Sequence, residues 1–388
     1  MQTPSLKITK KGAAWFRTGH PWIYKDDLER NDPSLSGSIV SVLDNSGNFL
    51  AKAFYNERSK IALRLITYDD LPIDAAFWRG RLSKCIERRN RVVRDATAYR
   101  IAHSEADGLP SLIVDRYGEH LSIQTLSLGM DGIKDTIVEV LAELVKPKSI
   151  VARNDSAMRK FEGLDEVKEV LYGKAPEKIE VKEGKIKYLV DIMNGQKTGS
   201  YLDQRENHIA AEIYAKGNTL DCFSYQGLFS LHMALSADEV TAADSSGPAL
   251  EGLRENAKLN GLTNIKTVEG KISDILKSCQ KEERQFDLIV LDPPAFAKSK
   301  KDLQAAARGY IDINFRAMKL LKRGGYLMTC SCSYNLSEGQ FLDIIYEALC
   351  ESRRRACLIE KRIQPADHPI LLNFPESNYL KCFVLEML

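Results

Sequence analysis

Apolar and polar positions follow three different rhythms along this chain. In residues 1–70 short runs alternate with period two, most clearly Ile39-Val40-Ser41-Val42-Leu43, and turn signals such as Asp44-Asn45-Ser46-Gly47 separate them. Strands are predicted at 39–43, 49–55 and 61–67, which points to a small β-barrel or sandwich. Residues 71–180 open with a helical pattern over 75–95. Strands near 111–115 and 121–125, a helix near 132–144 and a strand near 149–152 follow, an α+β block. From about 185 strands and helices alternate, which predicts a doubly wound parallel sheet. The strands fall at 219–222, 240–243, 265–268, 286–291 and 326–330, the helices at 247–260 and 304–321, the latter ended by Lys322-Arg323-Gly324-Gly325. Ser337-Glu338-Gly339-Gln340 reads as a capping box for a last long helix, and a strand over 379–385 ends the chain.

Composition limits the classes this pattern can serve. With 388 residues, 44% hydrophobic and 28% charged, the chain is an ordinary multidomain globular protein. No apolar run approaches the ~18 residues a membrane span needs. The first residues carry no signal-peptide core either, so a cytoplasmic location without membrane contact is expected. Eight cysteines without a Cys-x-x-Cys pair argue against a disulfide scaffold and against bound zinc.

The formal net charge is only +2, but it is unevenly spread. Residues 79–100 hold eight basic residues, among them Arg79, Arg81, Arg88, Arg89 and Arg91, against Glu87 and Asp95. Lys298, Lys300 and Lys301 form a smaller cluster. A basic helix beside a small β domain favours a nucleic-acid partner over a merely solvated face.

Candidate chemistry gathers at the predicted carboxyl ends of the parallel strands, where doubly wound folds bind ligands. The first strand runs into Asp221-Cys222-Phe223-Ser224-Tyr225-Gln226-Gly227, whose glycine lets the backbone approach a ligand. The glycine-rich G-x-G-x-x-G fingerprint is absent, which counts against a pyrophosphate cofactor and a nicotinamide dehydrogenase. Asp244 closes the second strand, where a carboxylate can accept both hydroxyls of a ribose. Asp292-Pro293-Pro294-Ala295-Phe296 follows the fourth strand, placing a carboxylate and an aromatic ring at the same rim. Thr329-Cys330-Ser331-Cys332-Ser333 follows the fifth. Cys330, still in the strand, reads as an inert core thiol; Cys332, past it, stands where a nucleophile would.

In this order the elements resemble a class I S-adenosylmethionine-dependent methyltransferase. More closely, the chain resembles the three-domain family that methylates cytosine C5 in 23S ribosomal RNA. Gly19-His20-Pro21-Trp22-Ile23-Tyr24 is similar to the start of that family's PUA domain, Glu105-Ala106-Asp107-Gly108-Leu109-Pro110 to its central domain, the run from Gly195 to Arg205 to the entry of its methyltransferase domain, and Ala366-Asp367-His368-Pro369 to its C-terminal signature. The resemblance implies a PUA-like domain at 1–70, a central α+β domain at 71–180 and a Rossmann-like methyltransferase domain at 181–388. It implies S-adenosylmethionine held by Tyr201, Arg205, Asp221, Phe223, Ser224, Tyr225, Gly227, Asp244, Ser245, Lys271, Ile272 and Asp292. It implies Cys332 as nucleophile, with Asp292 on the cytosine edge. The residues themselves offer the RNA contacts: the arginines named above for the backbone and Phe296 for stacking on a base. A second catalytic thiol is not expected, since Pro-Pro-Ala follows Asp292. The chain departs from the family pattern at Lys271, where an acidic residue is common, and in Gln226-Gly227-Leu228, where relatives often have a further glycine. No metal is implied, and a homodimer is left open. Two readings compete: methylation of an exocyclic amine of adenine or guanine, which needs no thiol, and a non-catalytic RNA-binding assembly factor.

Overall fold

The computed structural model describes residues 3–297 and 300–388, so that Met1, Gln2, Lys298 and Ser299 lie outside the described residues, as does the side chain of Lys300. The chain forms two compact units. The first comprises Met1–Val181, Val190–Leu202 and Ala366–Ser377, the second Lys182–Leu189, Asp203–Pro365 and Asn378–Leu388.

Within the first unit, strands Ile39–Leu43, Phe49–Tyr55 and Ile61–Thr67 lie where the alternation places them. Two short strands, Ser5–Lys7 and Trp22–Tyr24, were not legible at three residues each, and they flank the others as the edges of a five-stranded sheet. The edges meet through Thr9 N to Asp27 O and Glu29 N to Lys7 O, closing the sheet into the expected barrel. A second five-stranded sheet runs in the order Val167–Gly173, Ser149–Asn154, His120–Thr125, Leu112–Tyr117, Ala98–His103. Helix Ala75–Val92 buries Trp78, Leu82, Cys85 and Arg89, one stripe at helical spacing. Asp74 caps it by accepting from Phe77 N at 3.0 Å.

The second unit is built on seven strands: β1 (Asn218–Cys222), β2 (Glu239–Asp244), β3 (Ile265–Glu269), β4 (Phe286–Leu291), β5 (Leu321–Ser331), β6 (Ala356–Arg362) and β7 (Lys381–Met387). Their order is β3-β2-β1-β4-β5-β7-β6. The first five are parallel; β7 inserts antiparallel between β5 and β6. The chain reverses direction outward from β1, which opens a crevice at the carboxyl ends of β1 and β4.

Two local readings change and one holds. The basic-glycine run 322–325 does not follow the helix as a loop. Helix Leu303–Leu320 passes directly into β5, and these residues form an irregularity between the pairs Phe286–Leu321 and Leu288–Tyr326. Gly324 has φ +72°, which a side chain would strain. Strand β6 was not anticipated: it is an edge strand, mostly exposed, and its Glu360-Lys361-Arg362 run hides the strand pattern. The capping box is real, with Ser337 accepting from Gln340 N and Gln340 reaching back to Ser337 N.

Candidate active site

The loop after β1 is forced into a tight, left-handed course. Phe223, Tyr225 and Gly227 have φ of +66°, +48° and +85°. A Cβ on Gly227 would stand 2.4 Å from Leu253 Cγ, so only glycine closes this turn. Asp244, at the end of β2, holds the loop: its Oδ2 accepts from Tyr225 N at 2.8 Å and its Oδ1 from Ser246 N at 2.9 Å. Each oxygen keeps a second lone pair for an incoming hydroxyl.

Asp221 is fully buried under this loop. Its Oδ2 accepts from Ser230 Oγ at 2.6 Å, while its Oδ1 has no partner. Burial pushes its pKa up to about 7, with Asp292 adding in the same direction against the Ser230 hydrogen bond. Ser224 Oγ is a second buried polar atom without a partner. Orphaned atoms of this kind are costly in an apolar interior and mark where a polar ligand completes the site. A nucleoside with a charged amino-acid tail fits this donor and acceptor set, so the residues suit S-adenosylmethionine.

The remaining cofactor candidates divide. Ser245 and Lys271 are exposed, Lys271 opening helix Ile272–Lys281. Ile272, 5% exposed, packs in the core with Leu276. Arg205 is buried in the second unit, within 3.6 Å of Glu206. Tyr201 belongs to the first unit, where its hydroxyl bonds Gln196 and the Lys197 ammonium lies 4.4 Å from its ring centre.

Beside the β1 loop, Asp292 leaves β4 half-buried. Its Oδ1 accepts from Gln204 Nε2 at 2.8 Å, and Gln204 Oε1 in turn accepts from Asn207 at 2.6 Å. Cys332 leaves β5 facing the Asp292-Pro293 loop, its Sγ 4.0 Å from the Pro293 carbonyl. The segment around it is clamped on both sides. Tyr310 Oη meets Ser331 Oγ at 3.0 Å and Ser333 Oγ at 3.3 Å. The buried Lys381 ammonium donates to the carbonyls of Ser333, Leu336 and Tyr379 at 2.7, 2.8 and 2.8 Å. Burial pulls the Lys381 pKa down to about 8, and the neighbouring Cys332 works the other way. Cys330, two residues back, is fully buried opposite Cys382, and burial raises its pKa well above that of an ordinary thiol. Gln204, Tyr310 and Lys381 were not legible as site residues, because each reaches the centre from an element distant in sequence.

Two RNA candidates change meaning. Arg89 has no exposed surface: its guanidinium bonds both oxygens of Asp107, the Arg100 carbonyl and the Asp367 carbonyl. It is a structural ion pair and has nothing to offer a phosphate. Phe296 is half-buried and packs on Tyr310 with ring centres 4.7 Å apart, which occupies part of the surface a base would stack on. Arg81 donates to the Gly108 and Ile66 carbonyls. Arg79, Arg88 and Arg91 are exposed, although Arg79 pairs with Glu143 and Arg88 with Asp107. Among the described residues no helix is long and apolar enough to cross a membrane.

Residues 6–68 match the PUA-like domain family, and residues 152–370 match the S-adenosylmethionine-dependent methyltransferase family. The ribosomal RNA large subunit methyltransferase I of Aeromonas hydrophila is 40% identical over 94% of this chain and 95% of its own length. That of Vibrio cholerae is 38% identical over the whole of both chains. Among solved structures, one complexed with SAH superposes with a TM-score of 0.87 at 20% identity, covering 99% of this chain and 100% of that one. Another, a SAM-dependent methyltransferase by its description, from Streptococcus mutans, superposes with a TM-score of 0.84 at 21% identity over 99% and 100%. At that identity the likeness speaks for the fold. The cofactor of this protein is S-adenosylmethionine, and the chain belongs to the family of ribosomal RNA large subunit methyltransferase I.

Proposed function

We propose that this protein methylates C5 of a cytosine in large-subunit ribosomal RNA through a covalent bond between Cys332 and C6 of the base. The observation that carries this reading is the placement of Cys332: a partly exposed thiol at the end of β5, clamped by Tyr310 and Lys381, 4.0 Å from the carbonyl of the Asp292-Pro293 loop. S-adenosylmethionine supplies an electrophilic methyl group on a sulfonium sulfur. Cytosine C5 is too weak a nucleophile to take it unaided.

Addition of the Cys332 thiolate to C6 makes C5 enamine-like. C5 then bonds to the methyl carbon, and S-adenosylhomocysteine departs with the electron pair. Loss of the C5 proton to a base drives the C6–S bond to break and returns the thiolate. The buried Lys381 ammonium favours the anionic form of the thiol beside it. Asp292, oriented by Gln204, accepts from the exocyclic amine and holds the base edge. A target base must leave its stack to enter the crevice, at a cost of a few kcal/mol if it is paired. Backbone contacts from the PUA-like domain and from Arg79, Arg81, Arg88 and Arg91 hold the RNA. In this reading the chain works as three modules, 1–70, 71–180 and 181–388, and acts in the cytoplasm, where ribosomal RNA is made.

The test is methyl transfer to ribosomal RNA from a strain lacking the gene, with wild-type protein, Cys332→Ala and Cys330→Ala. Cys332→Ala should lose transfer while keeping cofactor affinity, and Cys330→Ala should keep both. RNA carrying 5-fluorocytosine should trap a covalent complex with the wild type and with Cys330→Ala but not with Cys332→Ala, since fluorine at C5 cannot leave as a proton. Full transfer by Cys332→Ala would favour an exocyclic amine as the acceptor.

A further inference from the structure

Two sequence motifs that the methyl-transfer chemistry leaves unused, 19–24 and 105–110, meet at one cavity of the first unit. Trp22 Nε1 donates to Glu105 Oε1 at 2.8 Å. Arg64 lies over the Trp22 ring at 5.3 Å and bridges Glu105 and Glu162 at 3.2 and 3.1 Å. The cavity they floor has a volume of about 480 Å³, the size of a small-ligand site, and Arg58, Lys60, Ser111, Met158 and Phe161 complete it.

Its chemistry is uneven in a telling way. Two buried polar atoms of the lining have no partner: Arg64 Nε and Ser111 Oγ, with Ser111 only 2% exposed. Ser111 sits at φ +64°, a conformation a serine adopts at some strain. At the mouth, Phe161 is 70% exposed and Met158 58%, an unusual exposure for such side chains. Arg58 and Lys60 stand exposed beside them, and neither enters an ion pair among the described residues. An aromatic face, unspent cations at the rim and unmet hydrogen-bonding atoms on the floor form the combination by which proteins take up unstacked nucleotides.

We propose that this cavity holds one unstacked base of a single-stranded RNA segment, apart from the target cytosine. The base stacks on Phe161, a ring carbonyl or ring nitrogen accepts from Arg64 Nε, and the flanking phosphates lie at Arg58 and Lys60. A purely apolar ligand would leave both orphaned atoms unmet, and a free anion would not use the Phe161 face. The proposal rests on the RNA-substrate reading above and deepens it: the first unit would read a feature of the RNA chain in addition to its charge.

The test compares two fluorescent probes on the full-length protein by anisotropy, a ten-nucleotide oligouridine and an abasic ribose-phosphate strand of equal length. Wild type should prefer the base-bearing strand by about tenfold, the range of a single stacked base. Phe161→Ala should remove that preference; the residue is exposed, so the fold should survive. Arg58→Ala with Lys60→Ala should weaken both probes and lower the salt slope by about 0.7 for each phosphate lost. Equal affinity of wild type for the two probes, or an undiminished preference in Phe161→Ala, overturns the proposal. Methyl transfer to ribosomal RNA is measured alongside. Transfer by wild type with no effect of Phe161→Ala on probe preference sinks the cavity alone, whereas a preference that Phe161→Ala removes, with no transfer to any RNA, sinks the proposed function alone.

Discussion

Asp107 receives both arms of the Arg89 guanidinium, Nη1 on Oδ1 at 2.8 Å and Nη2 on Oδ2 at 2.6 Å, and neither side chain has any exposed surface. A planar fork on a carboxylate is the strong form of an ion pair, and its burial makes each partner depend on the other. Asp107→Ala would leave a buried, unpaired cation, at a cost of about 3–5 kcal/mol. Urea denaturation should show that loss, and Arg89→Lys should not be well tolerated, since an ammonium cannot fill the fork. A loss under 1 kcal/mol would mean that the pair is not structural.

Lys381 should set the pH range of catalysis. Replacing it with methionine removes both the charge beside Cys332 and the two hydrogen bonds that pin residues 333–336. The acid limb of log kcat/KM should move to higher pH, by about tenfold in rate for each unit that the thiol pKa rises. Cofactor affinity measured by calorimetry should hardly change. A profile that drops in height without shifting would assign Lys381 to structure alone.

Gly227→Ala should weaken cofactor binding. Its new methyl would collide with Leu253 Cγ at 2.4 Å in a backbone already at φ +85°. Overpacking and strain of this kind cost about 1–3 kcal/mol, which corresponds to roughly ten- to hundredfold in affinity if the loop is what moves. Gly261→Ala is a useful contrast: its φ is +69° but nothing lies within 4 Å of the added carbon, so cofactor affinity should be kept.

Asp221 should make folding pH-dependent. Its pKa, pushed up by burial to about 7 against 3.8 for an ordinary aspartate, means that the folded form holds a proton the unfolded chain has released. The contribution is complete below about pH 4 and is lost as the pH rises through 7. Asp221→Asn lacks that titration. In thermal melts without cofactor, the variant should gain on wild type as the pH is taken from 5 to 8. A gap that stays constant with pH would show that Asp221 is not held protonated.

Much of the fold was legible because each layer leaves its own period in the chain. Strand Ile39–Leu43 alternates on one buried face, and the central β4 is a nearly continuous apolar run because both its faces are covered. The edge strands Ser5–Lys7 and Trp22–Tyr24 and the exposed β6 left no such trace. Arg89 shows the limit most clearly. Its spacing from Trp78, Leu82 and Cys85 places it on the buried stripe of the helix, but its charge reads as surface until its partner is known. Asp107 is 18 residues away and the Asp367 carbonyl 278.

The sequence by itself determined which residue types stand at the carboxyl ends of the parallel strands: Asp221 and Asp244 in the last residues of β1 and β2, Asp292 and Cys332 just beyond β4 and β5. That order of side chains at strand ends is what resembles a class I S-adenosylmethionine-dependent methyltransferase. The tertiary structure alone decided which groups surround them. Gln204 reaches Asp292 from 88 residues away and Lys381 reaches Ser333 from 48. The insertion of β7 beside β5 is what brings that ammonium to the thiol loop. Local patterning records burial and turn geometry residue by residue, whereas charge pairing and hydrogen bonding depend on distances that only the packed chain defines.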